Sequence, residues 1–240
     1  MTTRFAGRTV VITGVGRAGQ VGDLLARAFA REGAALALLG RTQTDVDARA
    51  MDTRAFGAEV VGIAADLTQD DAVGAAAQRV AEFASRRGGV HALVHAAGGF
   101  GTLGAVGESE RQKWDDMLTI NLTTAYVTAR AFVPFLRKTG GACVFFASAA
   151  SLPGAKVANV AAYAAAKSGV IALMRAIAQE ESANGVRANA LAPSAIRTPE
   201  NEAAMGKDAR FVEPSQLTDM VLFLCSDGSS AVTGQVLALG

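Results

Sequence analysis

The feature that most constrains this chain is an alternation. Short runs rich in Val, Ile, Leu and Phe are each followed by a longer stretch with helical periodicity. The short runs lie at residues 9–12, 35–39, 59–64, 90–95, 142–147, 187–191 and 235–239. Most are apolar throughout instead of alternating, which predicts strands covered on both faces. Helical stretches are predicted at 21–31, 43–56, 69–86, 111–137 with an internal break, 158–183 and 214–225. The Ala-rich stretch at 158–183 is the clearest, because it stops at Asn184-Gly185, a left-handed C-terminal signal. The pattern predicts an α/β fold: a doubly wound (Rossmann-type), mostly parallel seven-stranded sheet with helices on both faces. The 240 residues and even charge spread predict a single domain over 1–240. Ligands of such sheets sit beyond the carboxyl ends of the strands, so function is sought in the loops that follow them.

Composition narrows the function classes. Lys and Arg number 23 against 22 Asp and Glu, a formal charge of +1, which gives no electrostatic reason to expect nucleic acid or an anionic membrane surface. No unbroken apolar run reaches the roughly 20 residues of a membrane span, the start of the chain has no signal-like apolar stretch, and a cytoplasmic protein is the expectation. Cys143 and Cys225 stand far apart in apolar contexts and are read as small buried hydrophobes, and no metal site is expected.

After the first predicted strand comes Thr13-Gly14-Val15-Gly16-Arg17-Ala18-Gly19-Gln20-Val21-Gly22, in which Gly14, Gly16 and Gly19 match G-x-G-x-x-G between a strand and a helix. Such glycines let the backbone approach a pyrophosphate, while the free N–H groups and dipole of the next helix face its charge. An NAD site usually has an acidic residue about 20 residues further on. Here the second strand ends Leu39-Gly40-Arg41. Arg41, with Arg17 inside the loop, suits a 2′-phosphate, although each is also read as a solvated surface charge. NADP(H) is therefore the expected cofactor. In the long helix Tyr163 and Lys167 are four residues apart and share a face. A phenol with a reference pKa of about 10 is a poor proton shuttle near neutrality, and a neighbouring ammonium favours its anion, so Lys167 is expected to make Tyr163 usable as a general acid or base.

These residues, with Asp66 in Ala65-Asp66-Leu67-Thr68, Ala97-Gly98 after the fourth strand, Asn121 in Ile120-Asn121-Leu122, Ser148 after the fifth, Pro193-Ser194-Ala195-Ile196-Arg197-Thr198-Pro199 after the sixth and Thr233-Gly234-Gln235 before the last, occur in order along the chain. The chain thereby resembles the short-chain dehydrogenase/reductase family, in its compact single-domain branch, from about residue 8 to residue 240. The resemblance implies that Tyr163 protonates a carbonyl oxygen or deprotonates an alcohol, that Ser148 hydrogen-bonds the same oxygen, that Lys167 also holds the nicotinamide ribose, and that Asn121 supports a proton relay. It implies further that Asp66 contacts the adenine and that Ile196 and Thr198 meet the carboxamide, with Val21, Leu67, Ala97, Gly98 and Pro193 also at cofactor-binding positions. A homotetramer or homodimer, formed through faces of 119–137 and 158–183, is implied as well.

The chain departs from the family pattern in places. The span from Gly14 to Gly22 is two residues longer than usual, as is the separation of Ser148 from Tyr163, so that Ser151 competes with Ser148. His95-Ala96 replaces Asn-Asn before Ala97-Gly98, and His95 is read either as a pH-sensitive group or as a strand-end histidine bonded to backbone. Ser194 stands where a glycine is common. The segment 199–210 is short and charged, which suggests a small lid over an open pocket. Gly99-Phe100-Gly101 and the loop 152–159, with Lys156, complete the expected lining, and Phe100 is either an aromatic wall or a plug against the core. Arg130, Arg137 and Lys138 are either a receiving face for an acidic carrier protein or a solvated helix face. The reading is an NADP(H)-dependent oxidoreductase acting on a small carbonyl or alcohol, with a 3-oxoacyl reductase as one version and a dinucleotide-binding regulator without turnover as the alternative.

Overall fold

The computed structural model describes residues 3–240; the first two residues of the predicted domain lie outside it. Seven strands, β1 (Thr9–Thr13), β2 (Ala35–Gly40), β3 (Val60–Ala64), β4 (Val90–His95), β5 (Ala142–Phe146), β6 (Arg187–Pro193) and β7 (Val236–Leu239), form one sheet in the order 3-2-1-4-5-6-7. Every pairing is parallel. Eight helices accompany them: α1 (Val21–Arg31), α2 (Gln43–Arg54), α3 (Asp70–Ala84), α4 (Arg111–Leu118), α5 (Thr124–Leu136), α6 (Ala161–Glu180), α7 (Pro199–Met205) and α8 (Pro214–Cys225).

Both faces of the sheet are buried, which is why the strands read as continuous apolar runs. One face packs through Val11, Leu93 and Phe145 against Val73 of α3, Phe132 of α5 and Met174 of α6. The other packs through Val10, Ile12, Leu36 and Val144 against Leu25 and Phe29 of α1, Ala50 of α2 and Val221 of α8. Cys143 and Cys225 are free and buried, and burial pushes the Cys225 thiol up to about 12. Chain order reverses between β1 and β4, and a crevice opens there beyond the strand ends.

The helix boundaries differ from the sequence expectation where loops take over. The helix predicted at 158–183 starts at Ala161, after Asn159 adopts a positive φ of 65°, and ends at Glu180, where a 3-10 turn leads to left-handed Gly185. Its length and apolar composition would also suit a membrane span, and burial of Ala162, Ala166, Val170, Met174 and Ile177 against the fold accounts for that composition. The break predicted within 111–137 is a π-turn, Thr119–Thr123, which passes α4 into α5 without a change of direction signal in the sequence. The charged segment after Thr198 forms α7, with Thr198 accepting from the Asn201 N–H at 3.3 Å and Pro199 in the first turn. Thr-Pro-Glu is a helix-start signature, and it was the local signal for this element.

Candidate active site

At the crevice the β1–α1 loop crosses the end of β4 so closely that a Cβ on Gly14, whose φ is +74°, would stand 2.6 Å from the Ala97 nitrogen. A Cβ on Gly22 would stand 2.5 Å from the Gly14 carbonyl oxygen. The glycine that lets α1 pack against the loop is thus Gly22, and the two extra residues of the loop move this role away from Gly19. Gly19 donates its N–H to the Asp23 carboxylate at 2.8 Å and packs against Pro199. Gly16 has open space around it.

A cleft of about 660 Å³ opens from this loop. It is lined by Gly14, Gly16, Arg17, Val21, Arg41, Asp66, Leu67, Ala97 and Gly98, and by Thr42, Asp45, Ile120, Thr124 and Glu200, which the sequence did not single out. The residues fit a nicotinamide dinucleotide. The volume is in the usual range of ligand sites, and the N-terminus of α1 faces the cleft without a side-chain cap, since Gln20 supplies none. By contrast α2 is capped by Thr42, which accepts from the Asp45 N–H at 3.2 Å. Asp66 is held by the Thr68 N–H and hydroxyl at 3.0 and 2.8 Å, and these bonds, with Arg41 nearby, hold its carboxyl below the usual range.

The two arginines behave differently. Arg41 is exposed on the cleft rim and has no ion-pair partner among the described residues. Arg17 is paired with Glu200 of α7 at 2.9 Å, both side chains exposed on the cleft wall. Pro193, Ile196 and Thr198 are not on the cleft wall. Pro193 ends β6, Ile196 bridges to Val212, and Thr198 caps α7; the segment meets the glycine loop through Pro199 and Glu200.

At Gly98 the cleft adjoins Asn121 and Lys167, and Tyr163 stands one helical turn before Lys167. The place a Cβ on Gly98 would occupy is 2.7 Å from Asn121 Oδ1 and 3.3 Å from Lys167 Nζ. Asn121, brought inward by the π-turn, donates to the Gly99 and Met117 carbonyls at 3.0 and 3.1 Å and accepts from the Gly99 N–H at 3.1 Å. Ser148 leaves β5 in extended backbone, its hydroxyl accepts the Ala150 N–H at 3.2 Å, and it lies near enough to the Tyr163 phenol to favour the phenolate. Ser151 turns its hydroxyl back to the Ser148 carbonyl at 2.6 Å.

Two electrostatic expectations are corrected. Burial pushes the Tyr163 phenol up, and the nearby Ser148 hydroxyl opposes it. Lys167 does not pull it down, because its Nζ donates to the Phe146 carbonyl at 2.8 Å, 5.8 Å from the Tyr163 ring centre, and burial lowers its own pKa to about 8. His95 bonds the Thr13 hydroxyl at 3.0 Å, not backbone, and burial followed by the charge of Lys167 pushes it down to about 3. It is neutral near pH 7 and senses no physiological pH change.

The buried lysine carries a stability consequence. Its native pKa is below its ordinary value, so between about pH 8 and 10.5 the unfolded chain binds more protons than the native one. Stability from this group therefore rises with pH across that window, and the penalty is complete below it. Lys167→Met is expected to raise Tm at pH 7, with the gain shrinking as pH approaches 10.5, measured by thermal melts of both proteins across that range.

A family model described as Enoyl-(Acyl carrier protein) reductase matches residues 14–239. The chain belongs to the short-chain dehydrogenase/reductase family. It is accordingly an oxidoreductase whose family binds a nicotinamide dinucleotide. Among curated members of this family, a 2-(S)-hydroxypropyl-CoM dehydrogenase 3 from Xanthobacter autotrophicus is 31% identical over 256 residues, covering 100% of this chain and 97% of its own. A 3-oxoacyl-[acyl-carrier-protein] reductase from Thermotoga maritima is 28% identical, covering 98% and 97%. A short-chain type dehydrogenase/reductase from Mycobacterium ulcerans matches with a TM-score of 0.88 at 27% identity, over 98% of this chain and 88% of that one. An NAD+-bound xylitol dehydrogenase matches with a TM-score of 0.87 at 26% identity, over 98% of each.

Proposed function

We propose that this short-chain dehydrogenase/reductase interconverts a ketone or aldehyde with the corresponding alcohol, using NADP(H). The observation that carries the reading is the Ser148 hydroxyl beside the phenol of Tyr163, with Lys167 one helical turn away and adjoining Gly98 of the cleft. When bound, the nicotinamide supplies or takes up the hydride. Tyr163 holds the proton that the carbonyl oxygen receives, and its raised pKa keeps the phenol protonated and ready to donate near neutrality. Ser148 orients the same oxygen. Lys167, whose Nζ stands beside Gly98, is the cation that faces this end of the cleft, and Asn121 keeps the Gly99 backbone in place. Oxidation of NADPH followed across ketones and aldehydes tests the reading. Turnover of at least one class supports it, and none in either direction overturns it.

The preference for NADP(H) rests on Arg41, the unpaired cation on the cleft rim. A guanidinium bond to phosphate contributes about 1.5–3 kcal/mol, so Arg41→Ala is expected to weaken NADPH binding by about 10- to 100-fold and leave NADH binding nearly unchanged. Fluorescence titration checks this; equal wild-type affinities for the two cofactors would refute the preference. A 3-oxoacyl substrate on a carrier protein receives less support, because Arg130 is paired with Asp70 and Arg137 with Glu181. The same reading places a second copy of the chain on the faces of α5 and α6, where Tyr126 is half exposed.

A further inference from the structure

Phe100 is 70% exposed, whereas Phe5, Phe29, Phe132 and Phe145 are fully buried. Its ring lies 5.2 Å from that of Tyr163, edge to face at 79°. This excludes the plug against the core and leaves an apolar surface held open beside the phenol. The surface is mounted rigidly. On one side Asn121 clamps Gly99 through both its N–H and its carbonyl, and Gly101 sits against Met117. On the other, the buried Leu103 donates its N–H to the Asn159 carbonyl at 2.7 Å, which ties this loop to the one carrying the exposed Val157. An exposed aromatic ring loses little freedom when covered if its backbone is already fixed, and its flat face favours a flat or ring-shaped neighbour.

We infer that Phe100 selects the substrate, and that the preferred substrates have an aryl or alicyclic ring attached to the carbonyl carbon or containing it. The inference rests on the reading of Tyr163 as the group that meets the carbonyl oxygen. The Phe100 ring packs on the Tyr163 ring with 5.2 Å between centres, so a carbonyl oxygen met by the Tyr163 hydroxyl brings its carbon skeleton within reach of Phe100. A linear chain covers the ring poorly; a phenyl or cyclohexyl group covers its face.

The test compares kcat/KM for acetophenone and cyclohexanone with that for 2-butanone, in the wild type, Phe100→Ala and Phe100→Tyr, together with saturation-transfer NMR of acetophenone on the NADP+-loaded protein. The wild type is expected to favour the cyclic ketones. Phe100→Ala should reduce that preference about ten-fold, the size expected for losing one aromatic contact and its covered area, and Phe100→Tyr should retain it. A preference that is unchanged in Phe100→Ala overturns the proposal, as does wild-type turnover of 2-butanone in preference to both cyclic ketones. If no ketone is reduced yet acetophenone binds the wild type and not Phe100→Ala, the wall stands and the oxidoreductase reading of the site fails. If acetophenone is neither bound nor reduced, the wall is overturned.

Discussion

Tyr163→Phe is expected to lower kcat for carbonyl reduction by about two to four orders of magnitude, the range associated with removing a positioned general acid, while NADPH affinity changes by less than about two-fold. The substitution removes one oxygen and keeps the ring, so the edge-to-face contact with Phe100 and the packing of α6 persist. What disappears is the proton held where the carbonyl oxygen must sit. Ser148 cannot replace it, since its hydroxyl accepts from the Ala150 N–H at 3.2 Å and a serine is a far weaker acid. The cleft that holds the cofactor is lined by other residues, so binding measured by fluorescence should survive when turnover measured by NADPH oxidation does not. Full activity in the variant would remove Tyr163 from the proton path. Unchanged cofactor binding in a wild type that reduces nothing would favour the alternative of a dinucleotide-binding regulator.

The sheet was legible because a parallel strand buried on both faces leaves an uninterrupted apolar run, and all seven such runs became strands. Local spacing also located Tyr163 and Lys167, since four residues in a helix is a statement about a shared face. Features that depend on contacts between distant segments were not legible. Arg17 and Glu200 are 183 positions apart, and no local pattern announces that the loop arginine is already paired. The break within 111–137 was legible, but its form as a π-turn and the inward placement of Asn121 follow from tertiary contacts with Gly99. That Ser151 serves the backbone of Ser148 depends on a three-residue capping arrangement. The ionisation of Tyr163 was misjudged for a related reason: spacing gives proximity to Lys167, but not the depth of burial that raises the phenol and lowers the amine together.

Gly14→Ala is expected to destabilise the protein by roughly 2–5 kcal/mol, combining about 1–2 for a left-handed side chain with about 1–3 for overpacking. It should also abolish measurable dinucleotide binding. The atoms that the new methyl would meet are backbone: the Ala97 nitrogen at 2.6 Å, and the Ala96 carbonyl carbon and Ala97 Cα at 2.7 Å. They have little room to retreat. The Ala97 N–H is directed to the Thr13 hydroxyl at 3.4 Å, the same hydroxyl bonds His95, and two residues further on Asn121 clamps Gly99. Displacing the end of β4 therefore disturbs the phosphate loop and the cluster of Asn121 and Lys167 together. Gly16→Ala separates the structural part of this effect from the binding part, because a Cβ at Gly16 meets nothing within 4 Å and its φ is not in the left-handed region. Its Tm should match that of the wild type, and its NADPH affinity should fall only if the pyrophosphate approaches the loop at that residue. Thermal melts and titrations of the two variants side by side would show whether the loop's first glycine serves the fold and its second the ligand; a Gly14→Ala protein with wild-type Tm would contradict the close crossing of the β1–α1 loop over the end of β4 on which the whole cleft is built.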